Sequence, residues 1–384
     1  ATGRKDYPGT GALSENVVSF LVDAVSYTRM GERIRVEISA PNHFGHEDGV
    51  WGTIDVYVGS DEQVADDYLS GPGAIGPPLP AYRGLCYAVL RQCYMGNSGQ
   101  FRSISFVVRR CPDPLGLGPL MSNLNGDANP ANVIYDLLTS PLVNQKPVPA
   151  DQIEIEDFRT VGRALFEEGL GVSLVYDMAA PLGDQIDLVL KHIDALRYTD
   201  PETGRIRLKL IRADYELEGL PRLDRGNVLT CKYGRRCWSD TKNVVKLTYR
   251  DRLAGFIQRV VQAQDLANIE TQDGNLSIES CEFEGFSNAD RAQWAAERTL
   301  KTVAYPGAPI ELTVNRSASR LRPGDAFVLD WEPQGIRDLA CRVASVTLGT
   351  LRGNSVRIEA IEDIWGADHA AYDPPALTRW TNPV

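Results

Sequence analysis

Apolar and polar residues alternate in short runs over the first third of the chain. Arg35-Val-Glu-Ile-Ser and Thr53-Ile-Asp-Val-Tyr-Val predict strands, because a period of two places alternate side chains on opposite faces of a sheet. Gly59 stops the second run. Tyr82 to Val89 and Ser103 to Val108 predict a strand pair, with MGNSGQ between them as its turn. SGPGAIGPPLP at 70–80 holds too much Pro and Gly for a helix or a central strand. It reads as a surface loop or an extended arm. CPDPLGLGPL at 111–120 reads as a linker.

The period then lengthens. Asn129 is placed to cap a helix and Pro130 to occupy its first turn, where a missing N–H costs nothing. Val133, Ile134, Leu137 and Leu138 share one face, and Pro141 follows the end. A second helix starts at Asp157, carries Phe158, Val161 and Leu165, and stops at Gly169 or Gly171. A third, over about 184–196, sets Ile186, Val189, Leu190 and Ile193 on one side. Asp200-Pro-Glu-Thr-Gly-Arg is a turn, and Arg205-Ile-Arg-Leu-Lys-Leu alternates as a strand. These elements make a small α/β layer around 128–215.

The last third returns to period two. Val244 to Tyr249, Glu311 to Val314, Ala326 to Leu329, Arg342 to Leu348 and Ser355 to Ile361 predict strands. Ser287-Asn-Ala-Asp has the form of a capping box. The helix after it presents Ala292, Ala295, Ala296 and Leu300, a small-residue face suited to close packing on a sheet. Leu321-Arg-Pro-Gly-Asp is a tight turn. One sheet curled into a barrel, with one helix against it, packs this order most simply. The divisions are then an arm or first strand at 1–30, a β-rich domain at 31–120, an α/β domain at 121–225, a β domain with one helix at 226–366, and an extended arm or linker at 367–384.

The 384 residues carry a net charge of −11, and the tightest basic cluster is Lys232, Arg235 and Arg236. That argues against a protein that wraps nucleic acid, whose affinity comes from neutralising phosphates. An acidic wall past which DNA merely travels fits the charge. The seven Cys, at 86, 93, 111, 231, 237, 281 and 341, form no CxxC pair and read as free thiols. No run of 18 or more apolar residues marks a membrane span.

Catalytic chemistry finds little purchase. His43, His46, Glu47 and Asp48 are the most ligand-dense spot, but they sit in a loop and lack HExxH spacing. The expectation is a polar surface loop, with no metal and no cofactor. His192 lies at the edge of a helical apolar face and reads as structural or surface, and His369 falls in the irregular tail. The adjacent pairs Glu167–Glu168 and Asp66–Asp67 do not face each other across a cleft, as acid–base catalysis requires. Glu167 and Glu168 read as a solvated face. There is no phosphate loop and no GxSxG elbow, and no catalytic residue is assigned.

Several segments, in order, resemble the baseplate-hub and tail-tip proteins of long-tailed phages and the related tail proteins of gene-transfer particles. They are Pro80-Ala-Tyr-Arg-Gly-Leu-Cys-Tyr-Ala-Val-Leu with the strand at Ser103 to Arg109, Asn129-Pro-Ala-Asn-Val-Ile-Tyr-Asp-Leu-Leu-Thr, and Leu190 to Tyr215 with GRIRLKLIRADY. The densest group is Asn243-Val-Val-Lys-Leu-Thr-Tyr-Arg-Asp, Ala289 to Leu300, Leu321-Arg-Pro-Gly-Asp, Cys341-Arg-Val-Ala-Ser-Val and Glu359-Ala-Ile-Glu-Asp-Ile-Trp. The resemblance implies a mainly β, α+β fold. Tail-tube-like β-barrel domains would carry a small inserted α/β domain, with one barrel in 243–365 and a second, or part of one, in 20–110. It also implies a non-enzymatic homotrimer at the distal end of a virion tail. Such a hub closes the tail tube, joins distal fibres or a spike, and lets DNA pass without sequence-specific binding. The 70–80 arm would reach a neighbouring subunit. The competing readings are a virion-borne cell-wall hydrolase and a receptor-binding adhesin with Trp51, Trp331 or Trp365 exposed.

Overall fold

The computed structural model describes residues 21–23, 34–38, 51–57, 59, 62–70, 79–94, 107–141, 143–176, 180–213, 215–234, 237–350 and 353–364. The loop at 43–48, the centre of the 70–80 arm, Arg235, Arg236, Trp365, His369, residues 1–20 and the arm at 367–384 lie outside these residues. The chain forms two compact units, 1–111 and 112–384.

In the first unit, β1 is Leu21–Asp23, β2 Ile34–Ile38 and β3 Trp51–Tyr57. Helix α1 is Asp67–Ser70, β4 Tyr87–Tyr94 and β5 Val107–Arg109. Strands β2, β3 and β4 form an antiparallel sheet, whereas β5 pairs in parallel with β1. Of the expected pair of 82–89 with 103–108, residues 103–106 lie outside the described residues, and partners are described only for the remaining ends. Strand β4 is taken up along β3, and the described end of the later run finds β1. Among the described residues these strands make two small sheets and no closed barrel.

The second unit opens with α2 (Pro119–Ser122), β6 (Asn123–Leu124), β7 (Asp127–Ala128) and α3 (Pro130–Thr139). Asn129 caps α3 by accepting from the Ala131 N–H, as its position predicts. Next come α4 (Ile155–Glu168), α5 (Leu182–Ile193), β8 (Ala195–Thr199) and β9 (Ile206–Leu210). Gly169 ends α4 at a φ of 65°, a left-handed conformation that glycine enters without steric cost. Helix α3 packs on α4 and α5, and α4 lies on β9. The Tyr135 and Phe158 rings meet edge to face at 5.8 Å.

Two short strands follow, β10 (Arg222–Leu223) and β11 (Val228–Tyr233). Then come β12 (Val244–Asp251), β13 (Ile257–Gln264), α6 (Leu266–Thr271), β14 (Ile278–Glu282) and α7 (Ala289–Ala304). The last elements are β15 (Pro309–Asn315), β16 (Ala326–Trp331), β17 (Ile336–Leu348) and β18 (Ser355–Glu362). Asn288, not Ser287, caps α7 by accepting from the Asp290 N–H. The Ser287 hydroxyl instead donates to Asp127 at 3.0 Å.

The strands of the last third divide into two sheets. One has the order β10-β16-β17-β18-β15-β11 and the other β13-β12-β14. In the smaller sheet Val245, Leu247, Tyr249 and Ala263 are buried on the side covered by α7. The helix meets them with Ala292, Ala295, Ala296 and Leu300, the small-residue face read from the sequence. The larger sheet is curled. Its edge strands β10 and β11 are joined by Asp224–Asn227 alone, and such a link spans at most about 18 Å. Six flat strands would set those edges about 24 Å apart. Leu223, Val228, Ile310, Leu312, Val314, Phe327, Leu329, Cys341, Val343, Val356 and Ile358 fill the inside of the curl.

This arrangement corrects the expected tail-tube-like β-barrel. No ladder joins β10 to β11, so the curl is a half-barrel. Strands β12–β14 are withdrawn from it because α7 gives them an apolar cover of their own. The fold is mixed α+β, with a curled, incomplete sheet, a second sheet and a helical layer.

Candidate functional site

The chemistry of the second unit is concentrated where the helical layer meets the two sheets. His192, on the last turn of α5, is 1% exposed. Its Nδ1 lies 2.7 Å from the Leu188 carbonyl, and its Nε2 accepts the Gly285 N–H at 2.9 Å. The first contact needs a proton on Nδ1 and the second needs a lone pair on Nε2, so the geometry selects one neutral tautomer. Phe283 and Phe286 meet the imidazole ring edge to face at 5.1 and 5.0 Å. Burial among these groups pushes the His192 pKa down to about 4, and Lys191 adds to the fall against the Leu188 hydrogen bond. A Cβ on Gly285 would stand 2.8 Å from Nε2, so glycine gives the loop its close approach.

A second joint runs from α4 to the far end of the half-barrel. Glu168 takes a bidentate pair from Arg212 at 2.6 and 2.7 Å. Arg212 also donates to the Ile193 carbonyl at 3.1 Å and accepts, through its own carbonyl, from Arg342 Nη2 at 2.8 Å. Arg342 is 4% exposed and pairs with Asp363 at 2.8 Å while donating to the Gly324 carbonyl at 3.0 Å. The Tyr215 hydroxyl donates to the same carboxylate at 2.8 Å. Burial first, and the Asp363 carboxylate second, push the Tyr215 phenol up. Glu168 is thus committed to a salt bridge, not spread on a solvated face.

Further ties repeat the theme. Arg252 donates to the Asn125 and Gly126 carbonyls and pairs with Asp127, fixing the β6–β7 hairpin to the end of β12. Arg322, beside the Arg-Pro-Gly turn, pairs with Asp200 at 3.0 Å and Glu202 at 2.8 Å on the β8–β9 turn. Arg298 stacks over Trp294 at 4.3 Å and pairs with Asp194. Burial pulls the Arg298 guanidinium down to about 10.

In the first unit, Arg91 sits among Asp55, Asp66 and Asp67, with 2.5 Å to Asp55 and 2.9 Å to Asp66. Tyr57 donates to Asp66 at 2.7 Å. Burial raises the Asp66 carboxyl, but Tyr57, the Leu69 N–H and Arg91 outweigh it and hold the carboxyl low. Gln63 accepts from the Gly59 N–H and donates to the Ala81 and Tyr82 carbonyls, closing one loop onto another. Asp66 and Asp67 are therefore drawn to one arginine, not set across a cleft.

Of the residues weighed for chemistry from the sequence, the structure describes His192, Glu167, Glu168, Asp66, Asp67 and Trp331. Trp331 packs against the half-barrel core. Among the described residues no group of three His, Cys, Asp or Glu is placed to hold a metal ion, and no helix is long and apolar enough to cross a membrane. One depression of about 160 Å³ lies on the outer face of the half-barrel, lined by Thr230, Lys232, Glu311, Leu312, Thr313 and Arg357. Its charges are already paired, with Lys232 3.0 Å and Arg357 3.2 Å from Glu311. Within the second unit the arrangement binds layers to one another.

A family model described as putative phage tail protein matches residues 184–346, from α5 into β17. A chain from the virion of a native gene transfer agent particle is 16% identical, covering 95% of this chain and 91% of its own length at a TM-score of 0.53. The tail protein of Neisseria meningitidis MC58 is 14% identical over 51% of this chain and 60% of its own, at a TM-score of 0.39. The 43 kDa tail protein of prophage MuSo2 from Shewanella oneidensis is 18% identical over 49% and 55%, at 0.32. No curated protein matches the chain. Over 184–346 the chain is thus similar to phage tail proteins, and its fold is that of the gene-transfer-agent virion chain.

Proposed function

We propose that this chain is a structural component of a phage-like tail, acting as a trimeric hub at the distal tip. Three copies close the tail tube and connect it to distal fibre or spike proteins, and DNA passes without sequence-specific contact. The observation that carries this reading is the tail-protein match over 184–346, laid on a fold shared with a virion chain along nearly its whole length. The chemistry agrees with it. Ionic and hydrogen-bonding groups, half-buried in Glu168–Arg212 and buried in Arg342–Asp363, tie helices and sheets of the second unit together, as a load-transmitting part requires. The role is non-catalytic in this reading.

Single-particle imaging of intact particles tests it. Three copies in a closed ring on the end of the tube is the expected result. One or two copies per particle, or a position along the tube wall, overturns the hub. Turnover of peptidoglycan by the purified chain, abolished by a single Asp or Glu substitution, overturns the non-catalytic assignment.

A further inference from the structure

Strand β13 is an outer strand of the β13-β12-β14 sheet, and its sequence IQRVVQAQ has no Pro and no Lys. It pairs with β12 without a bulge from Ile257↔Asp251 to Gln264↔Val244. Soluble proteins shield such edges with Pro, Lys, bulges or short strands, since the outward N–H and C=O groups otherwise recruit another strand. Ile257 is 64% exposed and Val260 60%. The opposite edge, β14, is also uncovered among the described strands, with Ile278 43% exposed.

The two edges fit each other. Strand β14 runs parallel to β12 and β13 runs antiparallel to it. A second copy laid alongside in the same orientation therefore brings its β14 to β13 as an antiparallel pair. Equivalent faces stay together only when even-numbered residues oppose even-numbered ones, because a one-residue slip reverses every side chain. Among those registers, one sets Arg259 across from Glu279, Val260 from Ile278, Ile257 from Cys281 and Gln258 from Ser280. Over these positions it sets one charge against an opposite charge, two apolar pairs and one polar pair, the kinds of pairing that favour cross-strand contacts, and Arg259 also lies 3.1 Å from Asp251 of its own chain.

We infer that β13 of one copy pairs with β14 of the next, in the Arg259–Glu279 register, to build a sheet that continues from subunit to subunit. The contact is head-to-tail, so it closes into a ring when the rotation between copies permits. The inference rests on the reading that copies of this chain assemble, and it names the strands that join them.

Disulfide trapping tests the register. Cysteines at Val260→Cys and Ile278→Cys in one full-length chain cannot bridge within that chain, because β12 lies between the strands and the two sites are offset by four residues along it. Across the proposed contact they fall within the Cα separation of about 4.4–6.8 Å that a disulfide needs. Mild oxidation is expected to give reducible multimers beyond the dimer, absent when either cysteine is omitted. In sedimentation, Arg259→Glu is expected to weaken self-association at least tenfold, and adding Glu279→Arg to restore it. Multimers that do not depend on both cysteines, dimers alone, or self-association indifferent to Arg259→Glu overturns the contact. Three-fold particles in which these two strands lie apart remove this contact and leave the trimeric reading standing. A single copy per particle removes the trimeric reading itself.

Discussion

Acid should loosen the second unit through one residue, His192. In the folded state its pKa is about 4, against 6.5 for the free side chain. The unfolded chain therefore binds a proton at His192 that the folded chain resists throughout that interval. The neutral imidazole's contribution is fully present above pH 6.5, falls as pH drops, and is gone below about 4. At about 1.36 kcal/mol per pH unit for one proton, the loss is about 2 kcal/mol at pH 5 and about 3 kcal/mol at the lower limit. The cause is geometric, since protonation of Nε2 would set a donor against the Gly285 N–H that now donates to it. Lys191 and Glu284 are the charged neighbours, and Glu284 is itself paired with Arg250 at 2.8 Å. Urea unfolding at pH 7.5, 6, 5 and 4.2, for the native chain and for His192→Gln, isolates this contribution from the general effect of acid on carboxylates. Glutamine can accept from Gly285 but does not titrate, so the variant should lose less stability over the same range. A His192 Cε1 resonance titrating near 6.5, or identical pH slopes for the two chains, refutes the reasoning.

Four further outcomes follow from the same structure. Arg342→Met strands the Asp363 carboxylate inside the joint and should cost about 3–5 kcal/mol, while Arg342→Met with Asp363→Leu recovers a large part of it in chemical denaturation. Gly285→Ala places a methyl 2.8 Å from His192 Nε2 and 3.0 Å from Leu174 Cγ, and should cost about 1–3 kcal/mol, read from the unfolding midpoint. Asn129→Ala removes the cap of α3 and the donors to the Met121 and Gly162 carbonyls, for a loss of about 2 kcal/mol in the same measurement. Cys341, fully buried, has its thiol pushed up by that burial, so iodoacetamide should modify the exposed Cys86 and Cys237 long before Cys341, as mass spectrometry of timed samples will show.

Local signals in the sequence carry the helices well. The Asn129-Pro130 start, the Gly169 stop, the apolar faces of α4 and α5, and the alanine face of α7 each depend on residues within a helical turn or so of one another, and each is present in the fold. What escapes such reading is distant in sequence. Arg222↔Val328 and Lys232↔Glu311 are partners that no local period announces, and their edges decide between a barrel and a half-barrel. Glu168 looks like any acidic residue at a helix end until Arg212 is placed beside it. Ser287 and Asn288 are equally good caps by composition, and only Asp127, 160 residues away, takes Ser287 out of that role. His192 carried a partial signal, since it follows the spacing of Val189 and Ile193, but its partner Gly285 lies on a remote loop.

Strand β18 is the last strand of the half-barrel to leave the ribosome, yet it lies between β15 and β17. Until it emerges, the sheet is two fragments: β16–β17 with β10 on one side, β15 with β11 on the other. Translation at about 5–20 residues per second leaves the pairing edge of β15 waiting roughly two to eight seconds for β18. During that interval the nascent chain holds two raw edges that only β18 can join. A truncation within residues 355–362 should therefore do more than shorten the protein, because it removes the piece that makes the two fragments one sheet.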